Sequence, residues 1–169
     1  MKGACFTVHH GFIKIYDDYF DDLYRYVLFK TNSKWDTDDL VSEIFRKAYE
    51  KYPTISGNQK AWLFTIAKNT VIDFYRKKKD IASSDKLDQF TYPGCFELDV
   101  EKDEQIDYLK KSLAQLSPED LEIINLRYFS DMKYKDIGEL YGKSGNSIKM
   151  KMMRITRKLN ELINKFMEV

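Results

Sequence analysis

This sequence predicts an all-α fold: two small helical domains joined by a flexible linker. Three observations carry that expectation. Turn-forming residues are scarce, with seven glycines and three prolines in 169 residues, which argues against a turn-rich β fold. Apolar residues recur at intervals of three and four in two separate blocks, the period of helices that bury one face. Between the blocks, residues 81–104 hold Ser83, Ser84, Pro93, Gly94 and a run of acids (Asp85, Asp88, Glu97, Asp99, Glu101, Asp103, Glu104), the composition of a tether. The expected division is therefore 12–80, 81–104 and 105–169.

In the first block, residues 12–31 are rich in Tyr, Leu and Phe, with Asp17, Asp18, Asp21 and Asp22 interleaved. Residues 32–36 read as a turn. Asp36 or Thr37 can cap a second helix, with Asp38 and Asp39 favourable in its first turn. That helix carries Leu40, Val41, Ile44, Phe45, Ala48 and Tyr52, and Pro53 ends it. After a loop (residues 53–58), a third helix spans residues 59–79 with Leu63, Ile66, Ala67, Thr70 and Phe74 inward; Phe64 is expected in the core as well.

In the second block, a helix resumes near residue 103 and runs to 115. Ser117-Pro118-Glu119-Asp120 is a strong helix start: a capping serine, a proline at the first helical position, and acids where the helix dipole favours them. That helix should reach about Phe129, followed by a turn at Asp131 and Met132. A short helix, 134–141, and a last one to about Phe166 complete the chain.

The segment from Asp136 to Lys149 reads as a helix-turn-helix. Gly138 lets the second helix cross close to the first, and Gly142 can adopt the left-handed conformation that ends a helix. Ser144 can cap the next helix, and Ile148 should plug a core shared with Ile137 and Leu140. The last helix then has two faces. Ile148, Met152, Ile155, Leu159, Leu162 and Phe166 form an apolar stripe. Asn146, Met150, Met153, Arg154 and Arg157 face away from it, flanked by Lys149 and Lys151. From Lys143 onward the bases are Lys143, Lys149, Lys151, Arg154, Arg157, Lys158 and Lys165, against Glu161 and Glu168 alone. The whole chain carries a net charge of only +1, so this local excess is what points to a nucleic-acid partner. A cationic second helix in this motif suits the major groove, where Arg reads guanine, Asn reads adenine, and Met can meet a thymine methyl. The third helix of the first block carries Lys60, Lys68 and Asn69 and ends in Arg76-Lys77-Lys78-Lys79, interleaved with Trp62, Phe64, Phe74 and Tyr75. Such a helix can hold phosphates and stack unpaired bases.

On these residues the chain resembles the RNA polymerase sigma factors of the sigma-70 family, specifically the small extracytoplasmic-function group or the closely similar clostridial toxin-gene sigma factors. Asp39-Leu-Val-Ser-Glu-Ile-Phe-Arg-Lys-Ala-Tyr49 resembles the family's polymerase-binding helix. Ala61-Trp-Leu-Phe-Thr-Ile-Ala-Lys-Asn69, with Asp73 and Arg76, resembles its promoter-melting and minus-ten helix. Leu116-Ser-Pro, Ile124-Asn-Leu-Arg-Tyr128 and residues 136–159 resemble its minus-thirty-five domain. The three blocks stand in the family's order and spacing; its acidic N-terminal extension and middle helical domain have no room in this sequence.

The resemblance implies a sigma factor that binds core RNA polymerase and directs promoter-specific initiation. Asp39, Glu43 and Phe45 would dock on the clamp helices of the largest subunit, and the second domain on the flap of the second-largest. The loop 52–60 would capture a flipped base. Lys60, Lys68, Asn69 and Arg76 would hold the non-template strand of promoter DNA. The linker would thread toward the active-site and RNA-exit channels, and Asn146, Lys149, Lys151, Arg154 and Arg157 would read the minus-thirty-five element. An anti-sigma factor is an expected partner. Ser42, Thr65, Lys143, Met150 and Met153 depart from the family's usual residues, which bears on base preference rather than class.

The alternative is a polymerase-independent helix-turn-helix regulator, which the block at 39–49 fits poorly. No phosphate-cradling glycine loop, HExxH or GxSxG occurs, so no enzyme, catalytic residue, cofactor or metal is expected. Cys5 and Cys95 are far apart and form no CxxC pair; with no long apolar run and no leader-like N-terminus, the expected setting is the cytoplasm, without membrane insertion.

Overall fold

The computed structural model describes the backbone of residues 10–54, 57–82 and 104–167, and the regular elements in them are all helical. The expected linker lies outside the described residues apart from its ends, which belong to flanking helices; Cys5 and Cys95 lie outside them too.

Helix α1 (His10–Thr31) and α2 (Lys34–Lys51) form an αα-hairpin. Helix α2 begins earlier than its acids suggest. Ser33, not Asp36 or Thr37, is the cap: its hydroxyl accepts from the Asp36 N–H at 3.3 Å. Thr37 is buried instead and donates to the Ser33 carbonyl at 2.8 Å. The hairpin is closed by aromatic packing. Phe12 meets Tyr49 and Tyr52 edge-on at centroid distances of 5.1 and 5.6 Å, and Tyr16 lies 4.6 Å from Phe45. Such pairs each add about 0.5–1.5 kcal/mol beyond the area they bury.

Pro53 breaks the chain after α2 in a 3-10 turn (Tyr52–Thr54). Asn58 then starts α3 (Gln59–Ala82), its side-chain oxygen accepting from the Ala61 N–H at 3.1 Å. Leu63, Phe64, Ala67 and Val71 are buried against α1 and α2, with the Phe64 ring 5.3 Å from Tyr26. Phe74, expected inward, is only half-buried, with the Lys78 ammonium 4.9 Å over its ring.

In the second half, α4 (Glu104–Leu113) precedes α5 (Pro118–Ile124). Ser117 caps α5 as expected, accepting from the Asp120 N–H at 3.2 Å with proline at the helix start. The helix does not run uniformly to Phe129. From Asn125 to Phe129 it widens into a π turn, closed by the Ser130 N–H on the Asn125 carbonyl at 3.1 Å. Helices α6 (Tyr134–Tyr141) and α7 (Gly145–Met167) follow.

The sequence carries no sign that the two halves touch, yet they do. The π turn packs on α1 and α6 packs on α3. One hydrophobic cluster holds buried residues of both halves, and the ring pair Phe29 and Phe129, at 4.7 Å, crosses the seam.

Candidate nucleic-acid and partner interfaces

The helix-turn-helix is built as its turn residues dictate. Gly142 sits at φ 62°, ψ 32°, the left-handed region, and the N–H of Lys143 closes on the Gly138 carbonyl at 2.8 Å. A Cβ at Gly138 would stand 2.5 Å from the Lys143 carbonyl oxygen, so only glycine lets the turn fold back onto α6. The Ser144 hydroxyl accepts from the Ser147 N–H at 3.1 Å and starts α7.

Along α7 the two faces separate. Ile148, Met152 and Ile155 are buried with Ile137, while Leu159, Leu162 and Phe166 are partly so. Asn146, Lys149, Arg154 and Arg157 are exposed, as are Met150 and Met153. Lys151 is the exception among the expected reading residues. Its ammonium lies 2.7 Å from Glu119 and 3.5 Å from Asp120, binding α7 to the first turn of α5. That hydrogen bond from Lys151 is the main reason the Glu119 carboxyl titrates below its ordinary value. Lys151 thus orients the helix rather than offering a free cation.

Helix α3 presents its expected contacts unevenly. Asn69 and Arg76 are exposed, Arg76 with Asp73 at 3.0 Å. Lys60 is not: its side chain is 13% exposed, with Asp22 at 2.6 Å and the Asp131 carbonyl of the second half at 3.0 Å. The Lys68 ammonium sits 4.2 Å over the ring of Tyr141, also in the second half. Burial, followed by the nearby carboxylates of Glu122 and Glu119, pushes the Tyr141 hydroxyl far above its usual pKa.

On α2, Asp39 is exposed and Glu43 is half-exposed, its carboxyl held below the usual range mainly by the hydrogen bond from Lys47 at 2.8 Å. Phe45 corrects the sequence reading. It is 6% exposed and packed among Phe12, Tyr16 and Phe20. It belongs to the core beneath that surface and is not part of the exposed face. The exposed face of α2 instead begins at Trp35, which is 84% exposed and which the sequence reading did not single out. Also missed were Tyr26, Lys30 and Glu122, which join the halves. Their burial left a trace in the sequence, though their pairing did not: Lys30 closes the apolar run Val27-Leu28-Phe29, and Glu122 interrupts that of Leu121 with Ile123-Ile124.

No described helix is long and apolar enough to cross a membrane.

Comparison with known proteins matches residues 15–81 to the family description "Sigma-70 region 2" and residues 106–159 to "Sigma-70, region 4". The chain is 29% identical over 154 residues to the ECF RNA polymerase sigma factor SigM of Bacillus subtilis, covering 90% of this chain and 94% of that protein. It is 31% identical over 140 residues to the RNA polymerase sigma factor SigV of the same organism, covering 81% of each. Among solved structures it resembles the sigma factor RpoE in complex with the anti-sigma factor NepR from Bartonella quintana. The TM-score is 0.65 at 25% identity, over 92% of this chain and 98% of that one.

Proposed function

The chain belongs to the sigma-70 family, in its extracytoplasmic-function group, as an RNA polymerase sigma factor that directs transcription initiation, and on that premise we propose how its surfaces divide the work. Sigma factors are regulatory proteins without enzymatic activity, so the division is one of binding.

The half spanning 12–80 binds core polymerase and the minus-ten element, the half spanning 105–169 binds the minus-thirty-five element, and residues 81–104 tether them in the cytoplasm. Asp39 and Glu43 on α2 meet the clamp helices of the polymerase's largest subunit, with Phe45 holding that helix in place from below. The second half also meets the flap of the second-largest subunit. Lys60, Lys68, Asn69 and Arg76 hold the melted non-template strand. Asn146, Lys149, Arg154 and Arg157 enter the major groove, with Lys151 positioning them. An anti-sigma factor is a further partner, as for the similar sigma factor whose structure includes NepR.

The observation that carries this reading is the exposed cationic face of α7, mounted on a turn that Gly138, Gly142 and Ser144 hold at one angle. A helix so placed can insert as a rigid body, with arginines in bidentate reach of guanine. The test reverses that face. Arg154→Glu with Arg157→Glu should lower promoter-specific run-off transcription by about 100-fold or more, each lost base contact being worth about 1–3 kcal/mol. Co-purification with core polymerase should be unchanged. Undiminished initiation would remove α7 from the promoter.

A further inference from the structure

Helix α7 carries Met150 and Met153 on the wrong face for a core. Ile148, Met152 and Ile155 supply its buried stripe. Met150 lies two residues from Ile148 and Met153 two from Ile155, so each points about 160° round the helix from the stripe. They are 51% and 53% exposed. Asn146 and Lys149 stand before them and Arg154 and Arg157 after them, all exposed. Met153 and Arg157 share the wall of a groove with Tyr128 and Asn160, so apolar and cationic groups form a continuous surface.

Single exposed apolar side chains are ordinary on a soluble protein. A pair enclosed by cations is a different case. Phosphates drawn to Lys149, Arg154 and Arg157 bring a groove floor down over the methionines between them. That floor is polar apart from the C5 methyl of thymine. On a G·C pair a methionine would cover polar groups alone and leave them without hydrogen bonds. On an A·T pair it buries the methyl. Its three rotatable bonds and polarizable sulfur let it follow that methyl without a fixed geometry. Spacing sets how many pairs are met. Three residues of helix rise about 4.5 Å, and successive base pairs rise about 3.4 Å, so the two side chains fall on neighbouring pairs.

We infer that Met150 and Met153 determine specificity by reading thymine methyls, and that the element taken by α7 has two adjacent A·T pairs beneath them. This rests on the proposed seating of α7 in the major groove and goes beyond it. The flanking cations and Asn146 hold the helix on the DNA. The methionines reject G·C pairs at the positions they cover.

The probe is a promoter library randomised over its minus-thirty-five region. DNA held by the full chain with core polymerase is recovered and sequenced. The preferred promoter is then remade with deoxyuridine for thymine, one position at a time, which removes the methyl and keeps the pairing. Two adjacent A·T pairs should dominate the selected element. Uracil at the thymine of either pair should weaken holoenzyme binding about fourfold, the change that about 0.8 kcal/mol for one buried carbon group produces. Uracil elsewhere in the element should have no effect.

Met150→Ala and Met153→Ala keep a good helix former at exposed sites. Each should weaken binding to the thymine promoter and make one of the two positions indifferent to uracil. Met150→Leu and Met153→Leu, which keep an apolar tip, should stay sensitive. Arg154→Ala should weaken binding to thymine and uracil promoters alike.

Uracil without effect at every position overturns the inference. So does a double alanine variant that still discriminates thymine from uracil, because another group then meets the methyl. An equal loss on both promoters in that variant, or a change in the oligomeric state of the free chain, assigns the methionines to a protein contact and overturns it too. If Arg154→Glu with Arg157→Glu abolishes initiation while uracil does nothing, α7 keeps its place on the promoter and the methionines lose theirs. If neither change matters, both readings fall.

Discussion

Helices α3 and α7 are both cationic, and they are held in opposite ways. Helix α7 is set by the turn at Gly138, Gly142 and Ser144 and tied to α5 by Lys151, while Lys149, Arg154 and Arg157 face water. Helix α3 is seated in a broad core of Leu63, Phe64, Ala67 and Val71, while two of its bases, Lys60 and Lys68, are engaged by the other half. A basic residue on a helix is not thereby a free one. Availability is set by tertiary partners, and in this chain the same type of group is presented at one end and spent at the other.

The contrast predicts unequal fragility. Gly138→Val forces a branched side chain against the Lys143 carbonyl, which the backbone cannot yield without moving α7. We expect it to destabilise the second half by about 2–3 kcal/mol in urea unfolding, the usual cost of overpacking. Thr65→Ala, at an exposed site on α3 where the hydroxyl bonds only to the Ala61 carbonyl, should change stability by no more than about 0.5 kcal/mol. Equal effects would mean that the turn at Gly138 is not what holds α7.

A smaller effect concerns the ion pairs at the foot of α7. Glu119 titrates below its ordinary value of 4.5, chiefly through its hydrogen bond from Lys151. Its folded pKa is depressed, so its contribution is full above that ordinary value and is lost as pH falls through the folded pKa. Replacing Lys151→Met should move the Glu119 carboxyl titration upward in NMR, with little change in global stability because the pair is half exposed. A titration that does not move would free Lys151 to be a reading residue after all.

What the sequence made legible was local chemistry. Ser117-Pro118, Gly142 and Ser144 act on their nearest neighbours, and each appears in the structure as the turn rules require. The apolar stripe of α7 was equally plain. Near misses came where local options compete: Ser33, Asp36 and Thr37 can all cap a helix, and geometry selects Ser33. Phe45 sits in the buried stripe with Val41, Ile44 and Ala48, so its core position was readable from spacing and was obscured by the family pattern. The π turn was not readable, because its widened hydrogen bond has no residue signature. Nor was the seam between the halves. Tyr26 and Glu122 lie 96 residues apart, and Lys60 and Asp131 lie 71 apart. No periodicity reports contacts at that range.

We expect α3, whose Lys60 and Lys68 meet the second half in this structure, to exchange those partners for the promoter. A photo-reactive residue in place of Lys68 tests it most directly. In the free protein it should cross-link to α6 around Tyr141; in the complex with core polymerase and melted promoter it should cross-link to the non-template strand and no longer to α6. Cross-linking to α6 in both states, or in neither, would show that α3 makes no such exchange.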